Sequence, residues 1–427
     1  MPQPSERKIS RILEIYTPPS TPTREFGPLI QKAINNGKII HRADIGMPQE
    51  PYPHFAKELL QEAINEITVA GYGPEIAPSF AHALTDFYQK RFGVKINPEN
   101  LITGLGASEL FPILIDVITQ PGDKIFTFDP HYANFDIPLP RKEVSFFAGR
   151  TDNRFHPVIS DLKEALESDR EGKIKVVYLN SPNNPTGAVY TKEEIKQIID
   201  LALTHNLWLI FDGVYWNYNF SQNPSFIFEV LSDYHQEDQE EIEKRLVVLD
   251  SMSKTFFLCD WRLGWAIIFN PQLKQAVSSS ANYRGNISIE TQNAAAKIFN
   301  RPDLEQILTE NRQLYQKKRD LVYAKLQTLA SEGLIILNEP PEGGIYLTFK
   351  LASGVNAEKF LRWSLTEYDG PICTFVPLIT TSGSFYTDDK KDSHSDEIRL
   401  CFGLPEDQIQ EAIETFADQL HAFINHS

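Results

Sequence analysis

Short runs of β-branched, aromatic and aliphatic residues recur at Lys124 to Phe128, Lys175 to Leu179, Leu207 to Phe211, Arg245 to Leu249 and Gly264 to Phe269. Several are separated by stretches, such as Thr191 to Thr204, whose apolar residues follow the three- and four-residue spacing of a helix. That alternation predicts an α/β architecture with a largely parallel central sheet flanked by helices. Phe80, Ala81, Leu84, Phe87 and Tyr88 put a helix over Pro78 to Phe92, with Gly93 as its stop. From Asn311 to Ala330 the pattern predicts one long amphipathic helix linking a large and a small domain, with Lys317-Lys318-Arg319 on its solvated face. The expected division is an irregular arm at 1–25, which holds five prolines, a large domain at 56–310, and a smaller α+β domain built from 26–55 and 311–427. Two charge-rich stretches, Asp233 to Arg245 and Asp388 to Glu397, read as exposed helix or loop without chemistry.

Composition narrows the function. The 427 residues carry 57 acidic and 41 basic side chains, a net charge of −16, which opposes a general nucleic-acid or anionic-membrane binder. The uncharged stretch Gly370 to Thr387 contains Gly, Pro and many Ser/Thr, so it is no membrane span. The opening Met-Pro-Gln-Pro-Ser-Glu-Arg-Lys shows no secretory signal. Cys259, Cys373 and Cys401 lie far apart and the ten histidines are scattered, so neither a disulfide scaffold nor a metal site is expected, and a cytoplasmic setting fits best.

Four strand ends carry candidate chemistry, and in an open α/β sheet ligands gather at the carboxyl ends of strands. Leu101-Ile-Thr-Gly-Leu-Gly-Ala-Ser-Glu-Leu110 reads as strand, Gly-rich turn and helix, whose first amides can cradle a phosphate; Glu109 occupies the third-Gly position of a dinucleotide fingerprint. Lys175 to Gly187 ends a strand in Asn-Ser-Pro-Asn-Asn-Pro-Thr-Gly. Leu207 to Tyr215 puts Asp212 at a strand end with Tyr215 three residues later. Leu246 to Lys254 follows an apolar strand with Ser251-Met-Ser-Lys254, and Arg262 comes eight residues on.

The set N-N-P-T-G at 183–187, D-G-V-Y at 212–215, S-M-S-K at 251–254, R-L-G-W at 262–265 and E-I-R-L at 397–400 resembles the class I and II aminotransferases, pyridoxal-phosphate enzymes of fold type I. Order and spacing agree from Asp44-Ile-Gly46 to Arg399. The resemblance implies that Lys254 holds pyridoxal 5'-phosphate as a Schiff base and then carries the substrate Cα proton, within a ping-pong transfer from an amino acid to a 2-oxo acid. It implies that Asp212 pairs with the pyridine nitrogen, that Tyr215 and Asn184 bond the ring oxygen, and that Tyr132 stacks on the ring. Gly106, Ala107, Ser108, Ser251 and Arg262 would hold the phosphate, and Arg399, with Asn184 and the backbone at Gly46, the substrate carboxylate. The resemblance implies that Tyr72, in Gly71-Tyr-Gly73, binds cofactor by reaching the partner subunit's phosphate, with Asn286 in another segment near that interface, and so a homodimer with shared sites.

The sequence departs from the pattern at two places. Leu105 stands where many relatives have a small or hydroxyl residue. Ala281, with Arg284 nearby, falls where aspartate-specific members present a side-chain-reading Arg from the neighbouring subunit, which favours a neutral or aromatic donor. A lyase or decarboxylase on this fold would use the same Lys254, Asp212 and Arg399. Ser251-Met-Ser-Lys254 with Tyr132-Ala-Asn134 also matches a serine acyl-enzyme pattern, but no Lys-Thr-Gly follows. A catalytically inactive binding protein is the remaining alternative.

Overall fold

The computed structural model describes residues 22–68, 71–221, 223, 225–352, 354–378 and 394–426. Thirteen strands are described: β1 (Ile40–Arg42), β2 (Leu101–Leu105), β3 (Lys124–Phe128), β4 (Ser145–Gly149), β5 (Ile174–Asn180), β6 (Trp208–Asp212), β7 (Leu246–Ser251), β8 (Leu263–Ile268), β9 (Ile335–Ile336), β10 (Tyr346–Leu351), β11 (Ile372–Thr374), β12 (Val376–Pro377) and β13 (Glu397–Cys401). Seven of them form one sheet in the order β2-β8-β7-β6-β5-β3-β4. Only β8 runs against the rest, antiparallel to both β2 and β7.

Packing explains why these strands read as unbroken apolar runs. Successive side chains point to opposite faces. On β7, Val247 and Leu249 enter one core while Leu246 and Val248 enter the other; on β5, Val176 and Tyr178 divide from Val177 and Leu179 in the same way. With helices on both faces, no side of a central strand meets water. The first core continues beyond the sheet to Tyr346, Leu347 and Leu400 of the smaller antiparallel sheet, ordered β12-β13-β10-β9. A two-stranded parallel pair, β1 with β11, lies apart from both sheets.

Local signals behave as their chemistry dictates. Gly93 ends the helix Pro78–Phe92 with φ 71°, a conformation that suits glycine. The helix Lys192–Thr204 is capped reciprocally by Thr191 and Glu194: Thr191 Oγ1 accepts from the Glu194 amide at 3.2 Å, and Glu194 Oε2 accepts from the Thr191 amide at 2.7 Å. The long helix spans Leu304–Ser331, starting seven residues before its expected beginning at 311.

Three expectations need correction. Lys318 is not on a solvated face: it is fully buried, paired with Glu50, and donates to the Leu404 carbonyl at 2.6 Å. It occupies the stripe formed by Tyr315, Val322, Leu326 and Leu329, so a lysine stands at a core position and is neutralised there by Glu50 from a remote segment. Glu397 is not exposed: it opens β13, is 3% exposed, and pairs with Lys350 and His394. The charged residues 388–393 before it lie outside the described residues. The expected arm overlaps a helix, Pro22–Asn35, begun by proline in its first turn, with Glu25 complementing the helix dipole; residues 1–21 lie outside the described residues. The other charged stretch, Asp233 to Arg245, contains the mostly exposed helix Gln236–Glu243, as expected.

Candidate active site

The strand ends converge on a cavity of about 320 Å³. Every residue expected at the site lines it except Tyr72. Beyond β2, Gly106 has φ 78° and precedes the helix Ala107–Ile118, whose first turn presents Ala107 and Ser108. A Cβ on Gly106 would sit 2.8 Å from Arg262 Nη2, and one on Gly264 would sit 2.4 Å from the Ala107 nitrogen. Bare backbone at both positions therefore lets the helix N-terminus, β8 and the Arg262 guanidinium close on one point. Arg262, itself at φ 48°, donates to the carbonyls of Leu105 at 2.8 Å and Cys259 at 3.0 Å, while Ser251 ends β7 beside it. The first amides of a helix, a hydroxyl and a cation gathered at one cavity wall suit a phosphate.

Asp212 ends β6. Tyr178, on the adjacent β5, donates to Asp212 Oδ2 at 2.9 Å, and the Val214 amide donates to Oδ1 at 3.3 Å. Burial pushes the carboxyl up to about 6, against the pull of those hydrogen bonds and of Lys254. A cationic N–H in the cavity would offset that desolvation. Asn180 locks the neighbouring turn, donating to the Asp212 carbonyl at 3.0 Å and accepting from the Asn184 amide at 2.7 Å.

Lys254 follows β7, and its Nζ donates to the Gly46 carbonyl at 2.5 Å. Burial disfavours the ammonium, yet Tyr346, Cys259 and Tyr132 around it raise its pKa. Tyr346 was not foreseen, and it joins the two halves of the site. Its hydroxyl lies 2.7 Å from that of Tyr215, donates to the Gly46 carbonyl at 3.3 Å and accepts from Asn184 Nδ2 at 3.4 Å. Its ring lies 4.5 Å from the Arg399 guanidinium. Arg399 donates to Asn184 Oδ1 at 3.1 Å and to the Asp44 carbonyl at 2.7 Å, and its buried Nε–H has no partner among the described residues. A buried guanidinium with an unused N–H is a carboxylate receptor. Tyr132 also lines the cavity and accepts from Asn134 Nδ2 at 2.7 Å.

Tyr72 is fully exposed, away from the cavity lining; Asn286 Nδ2 donates to the adjacent Gly73 carbonyl at 2.7 Å. Arg284 is paired with Glu109, and Leu105 is half exposed beside the cradle. Tyr178, Asn180 and Cys259 also escaped notice. The Gly343-Gly344 pair ahead of Tyr346 was the available signal for that residue, since paired glycines mark a close backbone approach: a Cβ on Gly343 would lie 2.5 Å from the Tyr218 carbonyl.

The family described as "Aminotransferase class I and II" matches residues 46–416. An aspartate aminotransferase of Pyrococcus horikoshii is 26% identical over 327 residues, covering 76% of this chain and 79% of the relative. An LL-diaminopimelate aminotransferase of Dehalococcoides mccartyi is 26% identical over 415 residues, covering 96% and 98%. In fold, the alanine aminotransferase of Pyrococcus furiosus superimposes with a TM-score of 0.80 at 22% identity, covering 97% of this chain and 100% of that one. With the family pattern spanning most of its length, the chain belongs to the class I and II aminotransferases.

Proposed function

We propose that this aminotransferase uses pyridoxal 5'-phosphate, held by Lys254, to move an amino group from a neutral or aromatic amino acid to a 2-oxo acid in a ping-pong sequence. One observation carries the reading: an amine, a buried carboxylate, a phosphate cradle and a buried arginine with an unused N–H line one cavity. Gly106, Ala107, Ser108, Ser251 and Arg262 would hold the phosphate, Asp212 the ring nitrogen, and Tyr215 and Asn184 the ring oxygen, with Tyr132 against the ring. When bound, the cofactor supplies an electron sink for the pair left at the substrate Cα.

The residues of this chain do the rest. Asp212, kept dry and oriented by Tyr178, holds a proton on the ring nitrogen. Arg399 orients the substrate through its α-carboxylate, while Asn184 and Tyr346 fix the guanidinium. Lys254 Nζ, once free, would be the base that takes the proton from the substrate Cα. The preference for an uncharged donor is supported on both copies: among the described residues the cavity's own cations Lys254, Arg262 and Arg399 already have roles, and where the partner copy would offer a side-chain-reading Arg stand Ala281 and Arg284, the latter engaged by Glu109. Exposed Tyr72, with Asn286 bracing Gly73, supports a homodimer in which each copy completes the other's site. We place the protein in the cytoplasm and assign cofactor binding to the large domain, residues 56–310. No helix among the described residues is long and apolar enough to cross a membrane.

The test is a panel of amino acids against the loaded protein, with the amino group followed to product. Transfer to a 2-oxo acid supports the reading, whereas release of ammonia or carbon dioxide from a single substrate replaces it with a lyase or decarboxylase.

A further inference from the structure

His394 lies between two carboxylates that belong to different parts of the fold. Its Nε2 is 3.0 Å from Asp129 Oδ2 and its Nδ1 is 2.7 Å from Glu397 Oε2. Both ring nitrogens can donate only in the imidazolium form. The two acids are largely buried, at 11% and 4% side-chain exposure, so the bridge is a charge-assisted link largely shielded from water.

What the bridge joins gives it meaning. Asp129 follows β3 and is pinned through its backbone, its amide donating to the Gly149 carbonyl at 2.8 Å and its carbonyl accepting from Thr151 Oγ1 at 2.9 Å. Three residues later in the same turn Tyr132 enters the cavity. Glu397 opens β13, and two residues later, on the same face of the strand, comes Arg399. Lys350 Nζ already neutralises Glu397 from another side, at 3.1 Å. Lys350 thus shares the compensation of Glu397 with His394, and what His394 alone adds is the tie to Asp129. Asp396 is the remaining acid next to Glu397 in the chain, and it also bears on Lys350.

We propose that His394 is a positioning residue for amino transfer: by tying Asp129 to Glu397 it fixes Arg399, which grips the substrate carboxylate, relative to Tyr132, which bounds the face of the cofactor. This rests on the function proposed above. The placement of Arg399 sets how squarely its guanidinium meets the substrate carboxylate, and loosening one charge-assisted hydrogen bond of that grip costs about tenfold in affinity.

The experiment compares His394→Ala, Asp129→Asn and their combination in the full-length protein loaded with pyridoxal phosphate. The readouts are KM and kcat for the best donor, the dissociation constant of the cofactor by absorbance titration, and the affinity for propionate, an unreactive carboxylate, by calorimetry. Each single variant is expected to raise KM and weaken propionate by about tenfold, with kcat and cofactor affinity moving by less than about threefold. The double variant should be clearly less impaired than the product of the two singles, because the two residues share a link. If His394→Ala does not fold, His394→Gln, which can donate to one carboxylate but not both, should give an intermediate KM. Unchanged KM and propionate affinity in a folded, loaded His394 variant overturn the proposal, as do effects of the two singles that multiply. Failure of the unmodified protein to take up the cofactor on Lys254 is a separate result, which removes the functional reading and this inference with it.

Discussion

Substituting Gly46 by alanine tests how tightly the two halves of the site are fitted. An ideal Cβ at Gly46 would lie 2.5 Å from Tyr346 Oη, 3.3 Å from Cζ and 3.4 Å from Cε1. Ordinary contact begins near 3.4 Å, so the phenol must retreat by roughly an ångström from a place where it is 1% exposed. Retreat stretches the 2.7 Å bond to Tyr215 and shifts the ring beneath Arg399. Overpacking of this kind costs about 1–3 kcal/mol. Expressed on the transition state, that is roughly a 5- to 150-fold loss of kcat/KM, at about 1.4 kcal/mol per tenfold. Cofactor affinity should change less, because the phosphate cradle lies elsewhere in the cavity. Steady-state kinetics with a series of donors, beside a cofactor titration, measures both quantities. Gly27→Ala is the control: its Cβ would meet nothing within 4 Å, in a helix where alanine is favoured, so kcat/KM should not move. If Gly46→Ala keeps kcat/KM within twofold of the parent, the fitted contact between Gly46 and Tyr346 is not part of the working site.

Other perturbations bear on single elements. Lys318→Ala should destabilise the protein by about 3–5 kcal/mol in urea unfolding, since it leaves Glu50 without its buried partner; the double change Lys318→Met with Glu50→Gln should recover much of the loss, and a silent single variant would refute the pairing. His156, held between Glu194 and Glu342, has its pKa raised to about 10 by hydrogen bonds to those two carboxylates, against the effect of burial. A raised folded-state pKa contributes stability that is fully present below the unfolded value, about 6.5, and is lost as pH rises through about 10. The parent should therefore lose more Tm between pH 7 and pH 10 than His156→Gln does, and parallel curves would contradict the assignment. Asp212→Asn should still bind pyridoxal phosphate but lose about a hundredfold or more in turnover; near-normal turnover would remove the carboxylate from the chemistry.

The features most legible in the sequence were those governed by local order. β5, β6 and β7 are buried on both faces, so they appear as unbroken apolar runs, and their ends carry Asn184, Asp212 and Lys254 in contiguous motifs. Tyr178 and Tyr346 were missed for the converse reason. Each lies in an apolar strand, where a phenol in the core and a phenol at a site look alike. Only lateral pairing brings Tyr178 to Asp212, across β5 and β6, and Tyr346 beside Arg399, across β10 and β13. Lys318 and Glu397 were misread because charge was taken as a sign of exposure. Their partners, Glu50 in one case and Lys350 with His394 in the other, come from remote segments that no periodicity announces. The reversed direction of β8 was likewise invisible, since a strand buried on both faces reads the same either way.

The central claim is that Lys254 carries the cofactor through which amino groups pass. It is tested most directly by the visible spectrum of the protein with added pyridoxal phosphate, before and after borohydride, followed by peptide mapping and a panel of amino acids. The account predicts a reducible adduct on Lys254, with a spectrum that particular amino acids bleach and 2-oxo acids restore. An adduct on another lysine, or none, would contradict it.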